Sequence, residues 1–172
     1  MKRLVQAFHS RGIAVFMDVV YNHTAEGEWV QDGHLAYKCY GFCVDVPEIY
    51  RGTPNGGFTN YSGTGNDVDF SGGDRFTKSL VVDSLAFWYT AYGIDGFRFD
   101  LARMLADGSS NAADWIDQDS RFGHAHLHAE PWDLGGQWWD FMDSAGWDWR
   151  NNRWAKWLGK YRDGARLSRR AT

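Results

Sequence analysis

Three short apolar runs have the pattern of β-strands, and segments with helical spacing precede two of them. Residues 13–21, IAVFMDVVY, are almost continuously apolar and β-branched, which predicts a strand covered on both faces in a parallel sheet. Residues 94–100 and 124–132 contain two further predicted strands. Apolar residues at helical spacing predict helices over residues 1–12 and 74–93, each closed by a glycine.

The order of these elements predicts an α/β fold with a parallel sheet. Helix, strand, long loop, helix, strand, connection and strand follow one another, and WAKWLGKYRDGARLSRR (residues 154–170) predicts a closing helix in its last part. Polar side chains cluster after the strands. In parallel α/β proteins, active sites form at the carboxyl ends of several strands, so we expect a site at that edge.

Residues 24–73 form a long segment between the first strand and the second helix. They are rich in glycine, asparagine, aspartate and aromatic residues, without sustained periodicity. Structureless connections of this length are uncommon, and the aromatic content disfavours disorder, so we expect an ordered lobe over the site. Aromatic rings stack on the apolar faces of sugars as readily as they fill a core, and for any single ring the core remains the better interpretation.

The second predicted strand carries two charges on one face. Side chains alternate along a strand, so Arg98 and Asp100 point the same way, opposite to Phe97 and Phe99. An unpaired buried charge costs several kcal/mol, whereas a guanidinium beside a carboxylate offsets part of that cost. The pair is either a structural ion pair or part of a site in which Arg98 keeps Asp100 ionised, which suits a nucleophile.

Composition excludes some partners. The formal charge of −4 and the pI near 5.8 argue against nucleic acid and favour a neutral or polar ligand. No apolar stretch is long enough to span a membrane, and the start MKRLVQAFHSRG lacks an export signal, so a cytoplasmic or plastid location is favoured over secretion. Cys39 and Cys43 are expected to be free thiols, with one disulfide as the alternative.

Three motifs resemble signature regions of one enzyme family. DVVYNH (18–23), GFRFD (96–100) and AEPWDLGG (129–136) occur in the order found in the alpha-amylase superfamily, and the flanking sequence resembles isoamylase-type and glycogen-debranching enzymes. The resemblance implies that residues 1–172 are part of a catalytic (β/α)8 barrel, with about three of its strands and residues 24–73 as the lobe.

The resemblance also implies roles for the strand-end residues. Asp100 matches the catalytic nucleophile, Glu130 the general acid/base and Arg98 the arginine that orients the nucleophile. Asp18 and His23 match positions that support or contact the sugar. The implied reaction is retaining hydrolysis of an α-glucosidic bond, for which the two carboxyl groups lie about 5 to 5.5 Å apart.

Two further positions follow from the same comparison of motifs. Trp132, after Glu130 and Pro131, is assigned to substrate binding and to the exclusion of water from the acid. Asn22 falls where related amylases can bind calcium, although one asparagine does not make a site of six to eight oxygens. No other cofactor is implied.

The chain also departs from the family pattern. A later strand with a His-Asp pair should follow Glu130, and its aspartate should complete the catalytic trio, but no such strand is predicted here. His128 stands where the family is usually apolar, either as a hydrogen-bonded strand residue or as a group that perturbs the pKa of Glu130.

These departures leave several functions open. We expect an internal fragment that is inactive without the remainder of its barrel, with a branched α-glucan (glycogen or starch) as ligand and α-1,6 debranching as the leading activity. An α-1,4-acting amylase or transglycosylase and an inactive glucan-binding module are the alternatives.

Overall fold

A parallel four-stranded sheet forms the centre of the chain in a computed structural model. The structure describes residues 1–31, 34–38, 41–52, 57–71, 75–106, 112–131, 153–158, 161 and 164–166. In chain order the main elements are α1 (Lys2–His9), β1 (Phe16–Val19), β2 (Gly27–Gln31), β3 (His34–Lys38), α2 (Phe42–Asp45), α3 (Arg75–Tyr92), β4 (Gly96–Phe99), α4 (Ala112–Gln118), β5 (His126–Ala129) and β6 (Trp154–Lys156). The central sheet has the order β1-β4-β5-β6 and every pairing in it is parallel. The predicted α/β class is therefore confirmed.

The fourth strand, β6, adds to the three strands predicted from the sequence. It pairs with β5, with Leu127 opposite Trp154 and Ala129 opposite Lys156. Three residues are too few to show a period of two, and the apolar pattern of WAKW fits a helix equally well. β6 itself carries no acidic residue, and no His-Asp pair follows Glu130 in the sequence.

Glycines end the two helices that precede the sheet strands, as predicted. Gly12 and Gly93 have φ angles of 71° and 73°, in the left-handed region that favours glycine. The Gly93 N–H donates to the carbonyl of Tyr89 at 3.1 Å, which satisfies one of the last carbonyls of α3. The chain then turns directly into β4, so the glycine sets where Arg98 and Asp100 enter the sheet.

One face of β1 is open, whereas the sequence predicts cover on both. Val19 is buried in the core, but Phe16 and Val20 on the opposite face are 44% and 49% exposed. β1 pairs only with β4 among the described strands, so its other edge has no strand partner there. The apolar pattern of β1 is therefore that of a strand in a larger sheet.

The segment after β1 contains regular structure. β2 and β3 form an antiparallel hairpin, and the short helix α2 follows. The segment is attached to the end of β1, because the Val68 N–H donates to the carbonyl of Asn22 at 2.9 Å and the hydroxyl groups of Thr24 and Tyr50 lie 2.8 Å apart. The limits 24–73 for a lobe over the site remain a prediction.

Cys43 differs from the expectation of a free thiol. Cys43, in α2, is disulfide-bonded. Cys39 lies outside the described residues.

Gly96 leaves room for the Phe16 ring on the open face of the sheet. A Cβ atom at Gly96 would lie 2.4 Å from a ring carbon of Phe16 and 2.7 Å from the carbonyl oxygen of His126. The ring crosses this position to reach His126 and His128, with centroid distances of 5.7 and 5.2 Å. The glycine is therefore required by the packing beneath the site.

Gly96→Ala is expected to lower the free energy of unfolding by about 1 to 3 kcal/mol, the usual cost of overpacking. Gly164→Ala is the matched control, since a Cβ there meets nothing within 4 Å. Urea unfolding of the two variants measures the difference. Equal midpoints would show that the Phe16 ring moves aside without cost.

Candidate active site

Three carboxylates from three adjacent strands converge on Arg98. One terminal nitrogen of the guanidinium lies 2.7 Å from Asp18 and 3.0 Å from Asp100, and the other lies 2.6 Å from Glu130. Asp18 is opposite Arg98 in the β1–β4 ladder, while Asp100 and Glu130 directly follow β4 and β5. The sheet thus brings four of the predicted site residues together at its carboxyl edge.

Glu130 is the most buried of the three carboxylates. Its side chain is 11% exposed, and one oxygen accepts a hydrogen bond from the Leu101 N–H at 3.0 Å. Leu101 has φ 42° and ψ 49°, a left-handed conformation that leucine rarely adopts. This turn after β4 aims the N–H at Glu130.

Burial raises the pKa of Glu130 above the ordinary value of 4.5, and contact with Asp100 raises it further. The Leu101 N–H and the charge of Arg98 oppose this shift and are outweighed. Glu130 therefore keeps its proton to higher pH than an ordinary glutamate. That is the property required of a general acid.

Asp100 and Glu130 are held by the same guanidinium. One terminal nitrogen of Arg98 lies 3.0 Å from Asp100, and the other lies 2.6 Å from Glu130. The arginine thus places the two carboxyl groups side by side at the end of the sheet.

The raised pKa makes the stability of the protein depend on pH. A carboxyl group whose folded pKa is raised contributes stability below its unfolded pKa and loses it as pH rises through the folded value. Wild-type protein should therefore lose stability relative to Glu130→Gln as the pH rises from below 4.5 through the raised pKa. Urea unfolding of both proteins across this range measures the difference. A constant difference, or one that grows in favour of wild type, would contradict the assignment.

Asn22 and His23 form a second group of contacts beside Asp100. The Asn22 amide donates to the backbone oxygen of Asp100 at 2.6 Å and to its carboxylate at 3.3 Å. The side-chain oxygen of Asn22 accepts from the His23 ring. Burial lowers the pKa of His23, and the charges of Asp100 and Asp67 oppose that shift. Asn22 therefore connects His23 to Asp100.

The described residues around Asn22 do not fit calcium. Calcium requires several oxygen ligands, and the one side-chain oxygen of Asn22 is already occupied by His23. No group of three His, Cys, Asp or Glu side chains suited to a metal occurs in the described part of the chain. The contacts of Asn22 instead position Asp100.

His128 lies one layer below the carboxylates. It is opposite Arg98 in the β4–β5 ladder, and the Phe16 ring contacts it edge to face. Burial lowers the pKa of His128, and nearby His126 lowers it further. The groups that shift the pKa of Glu130 most are Leu101, Arg98 and Asp100. The contacts of His128 thus favour a packing role.

Other site residues were missed by the sequence-based prediction or lie outside the described chain. Trp132 lies outside the described residues. Trp157, which the sequence places beside a predicted helix, follows β6 and stacks on Arg98, with 4.9 Å from its ring centre to the Arg98 Cζ atom. The hydrogen bond from the Leu101 N–H was also missed, because every residue except proline has a backbone donor and the sequence does not show where it points.

The parallel sheet and the charged groups at its carboxyl edge have the arrangement expected for part of a (β/α)8 barrel. No family model matches the chain. It is 35% identical to the chloroplastic isoamylase SU1 of Zea mays, over 96% of this chain and 23% of that protein. It is 36% identical to a glycogen operon protein GlgX homolog of Mycobacterium tuberculosis, over 96% of this chain and 22% of that protein.

A solved structure agrees with these relatives. The pullulanase of Anoxybacillus sp. LM18-11 complexed with maltotriose is 33% identical, with a TM-score of 0.55 over 76% of this chain and 17% of that chain. The chain belongs to the alpha-amylase superfamily, and the relatives named above are an isoamylase, a GlgX homolog and a pullulanase. It spans between a fifth and a quarter of the length of the curated relatives described above.

Among the described helices, none combines the length and apolar character needed to cross a lipid bilayer.

Proposed function

We propose that this chain supplies the catalytic carboxylates of a retaining α-glucan hydrolase that cleaves α-1,6 branch points of glycogen or starch. The supporting observation is the convergence of Asp18, Asp100 and Glu130 on Arg98 at the carboxyl ends of adjacent parallel strands. The similarity to isoamylases supports the debranching activity. The maltotriose held by the similar pullulanase supports a glucan ligand.

Asp100 is the nucleophile in this proposal. Its carboxylate is held by the Arg98 guanidinium and by the Asn22 amide, so both oxygens have donors that fix their direction. The Asp100 oxygen attacks the anomeric carbon, the glycosidic C–O bond breaks, and a covalent glycosyl ester forms. Positioning of the carboxylate lowers the entropic cost of the attack.

Glu130 is the proton donor and later the base. Its protonated carboxyl gives a proton to the departing sugar oxygen, so the leaving group departs as a neutral alcohol. The ionised Glu130 then takes a proton from water as the water attacks the ester, which releases the sugar and restores both carboxyl groups. Because the anomeric carbon is attacked twice from opposite faces, its configuration is retained.

Substrate entry must bring the glycosidic bond between Asp100 and Glu130, which both pair with Arg98. Sugar hydroxyl groups can compete with Arg98 for the carboxylate of Asp18. Asp18 is suited to this contact because its side chain is 64% exposed, whereas Arg98 is only 17% exposed.

The products formed from amylopectin test the proposal. A complete barrel that carries this chain should release linear α-1,4 chains and deepen iodine staining. Loss of iodine staining with short oligosaccharides would assign α-1,4 cleavage instead. Glucan binding without product would assign a binding module.

The chain itself is expected to release no reducing ends from amylopectin. The family pattern calls for a third carboxylate after Glu130, and no His-Asp pair occurs there. Activity of the 172-residue chain that disappears in Glu130→Gln would show that the remainder of the barrel is dispensable.

A further inference from the structure

The Arg98 guanidinium lies over the ring of Trp157. The Arg98 Cζ atom is 4.9 Å from the centre of the Trp157 ring, within the range of a cation–π contact. The backbone N–H of Trp157 donates to the carbonyl of Ala129 at 3.2 Å, which fixes the backbone of this residue at the end of β5. The ring is thus held next to the strand that carries Glu130.

The carboxylates occupy a different side of the guanidinium. Its two terminal nitrogens pair with Asp18, Asp100 and Glu130 at 2.6 to 3.0 Å. Hydrogen bonds from its N–H groups fix the guanidinium in the direction of the carboxylates, whereas its contact with an aromatic ring limits movement away from that ring. The buried Nε atom has no hydrogen-bond partner within the described residues, so it adds no such restraint.

We propose that Trp157 is a positioning residue that acts through Arg98 to hold Asp100 and Glu130 in their working geometry. The kinetic consequences rest on the hydrolysis proposed above.

Trp157 is much less buried than Trp154, which lies three positions earlier. Trp154 is 4% exposed and packs on Phe99, whereas Trp157 is 44% exposed. Removing the Trp157 ring therefore takes little from the core.

Trp157→Leu in the complete barrel should lower kcat roughly 3- to 30-fold, which is the strength of a cation–π contact expressed as a rate factor. KM should change less than about twofold, because the contact orients reacting groups rather than binding glucan. Trp157→Phe keeps a ring on the guanidinium and should recover most of the activity. Tyr161→Leu, at a nearby aromatic residue that is 77% exposed, should change neither constant.

A double-mutant cycle tests whether the effect passes through Arg98. If Trp157 acts on the guanidinium, Trp157→Leu should lower kcat much less in an Arg98→Lys background than in wild type. The same decrease in both backgrounds would overturn the inference. A rise in KM with unchanged kcat would also overturn it, because it would identify Trp157 as a sugar-stacking platform.

Wild type, Trp157→Leu, Arg98→Lys and the double variant can also be compared by urea unfolding, which does not depend on catalysis. The decreases in urea midpoint caused by Trp157→Leu and Arg98→Lys should fail to add, whereas Trp154→Leu should lower the midpoint equally in both backgrounds. Absence of hydrolysis by wild type would refute the proposed function and leave this test intact. Additive midpoints for Trp157 and Arg98 would refute the inference even in an active enzyme.

Discussion

Arg98→Met should destabilise the 172-residue chain by about 3 to 5 kcal/mol, because removing one partner leaves buried charge without compensation. The guanidinium is the shared partner of Asp18, Asp100 and Glu130. Without it, like charges face one another at the end of the sheet. Urea unfolding near neutral pH measures the loss.

Arg121→Met is the matched control for this prediction. Arg121 also pairs with two carboxylates at 2.6 Å, those of Asp83 and Asp119, but its side chain is 46% exposed compared with 17% for Arg98. Solvent screening limits exposed pairs to about 1 kcal/mol or less. Adding Glu130→Gln to Arg98→Met should recover part of the stability by removing one unpaired carboxylate. Equal losses at the two arginines would show that Arg98 is an ordinary surface ion pair.

Glu130→Gln should lower the rate of glucan hydrolysis roughly 10²- to 10⁴-fold in a complete barrel, the contribution of general acid catalysis. Glutamine has nearly the same shape and can accept the Leu101 N–H, but it has no proton to give the leaving oxygen. Initial rates on amylopectin measure the effect. Glu48→Gln, at an exposed glutamate, is the control and should leave the rate unchanged.

The choice of substrate separates a proton donor from a structural residue. Fluoride leaves without needing a proton, so formation of the glycosyl ester from an α-glycosyl fluoride should be much less impaired in Glu130→Gln. An equal loss with amylopectin and with the fluoride would contradict the role of Glu130 as acid.

The charged groups at the strand ends were predictable because side chains alternate along a strand and because the order of elements indicates a parallel sheet. Arg98 and Asp100 share a face by the period of a strand, and the carboxyl ends of parallel strands lie at one edge. These two rules are enough to expect Asp18, Asp100 and Glu130 near one another. The ends of α1 and α3 were also predictable, because helices commonly end at a residue in the left-handed conformation and that residue is usually glycine.

The missed features depend on contacts between distant segments. β6 is three residues long and is defined by its pairing with β5, which no local pattern encodes. The stacking of Trp157 on Arg98 follows from that pairing. The contact between Asn22 and Asp100 likewise joins segments that are far apart in the sequence. Calcium at Asn22 was a possibility drawn from a motif position alone, and the side-chain oxygen of Asn22 already accepts from the His23 ring.

Capture of the covalent intermediate tests the central claim most directly. A 5-fluoro-α-glycosyl fluoride reacts by attack of a carboxylate on its anomeric carbon with loss of fluoride, and the ring fluorine slows hydrolysis of the ester that forms. Digestion and mass spectrometry of the inactivated complete barrel should place the sugar on the peptide containing Asp100, and Asp100→Asn should remove the adduct. An adduct on another residue, or none from an enzyme that hydrolyses amylopectin, would contradict the account.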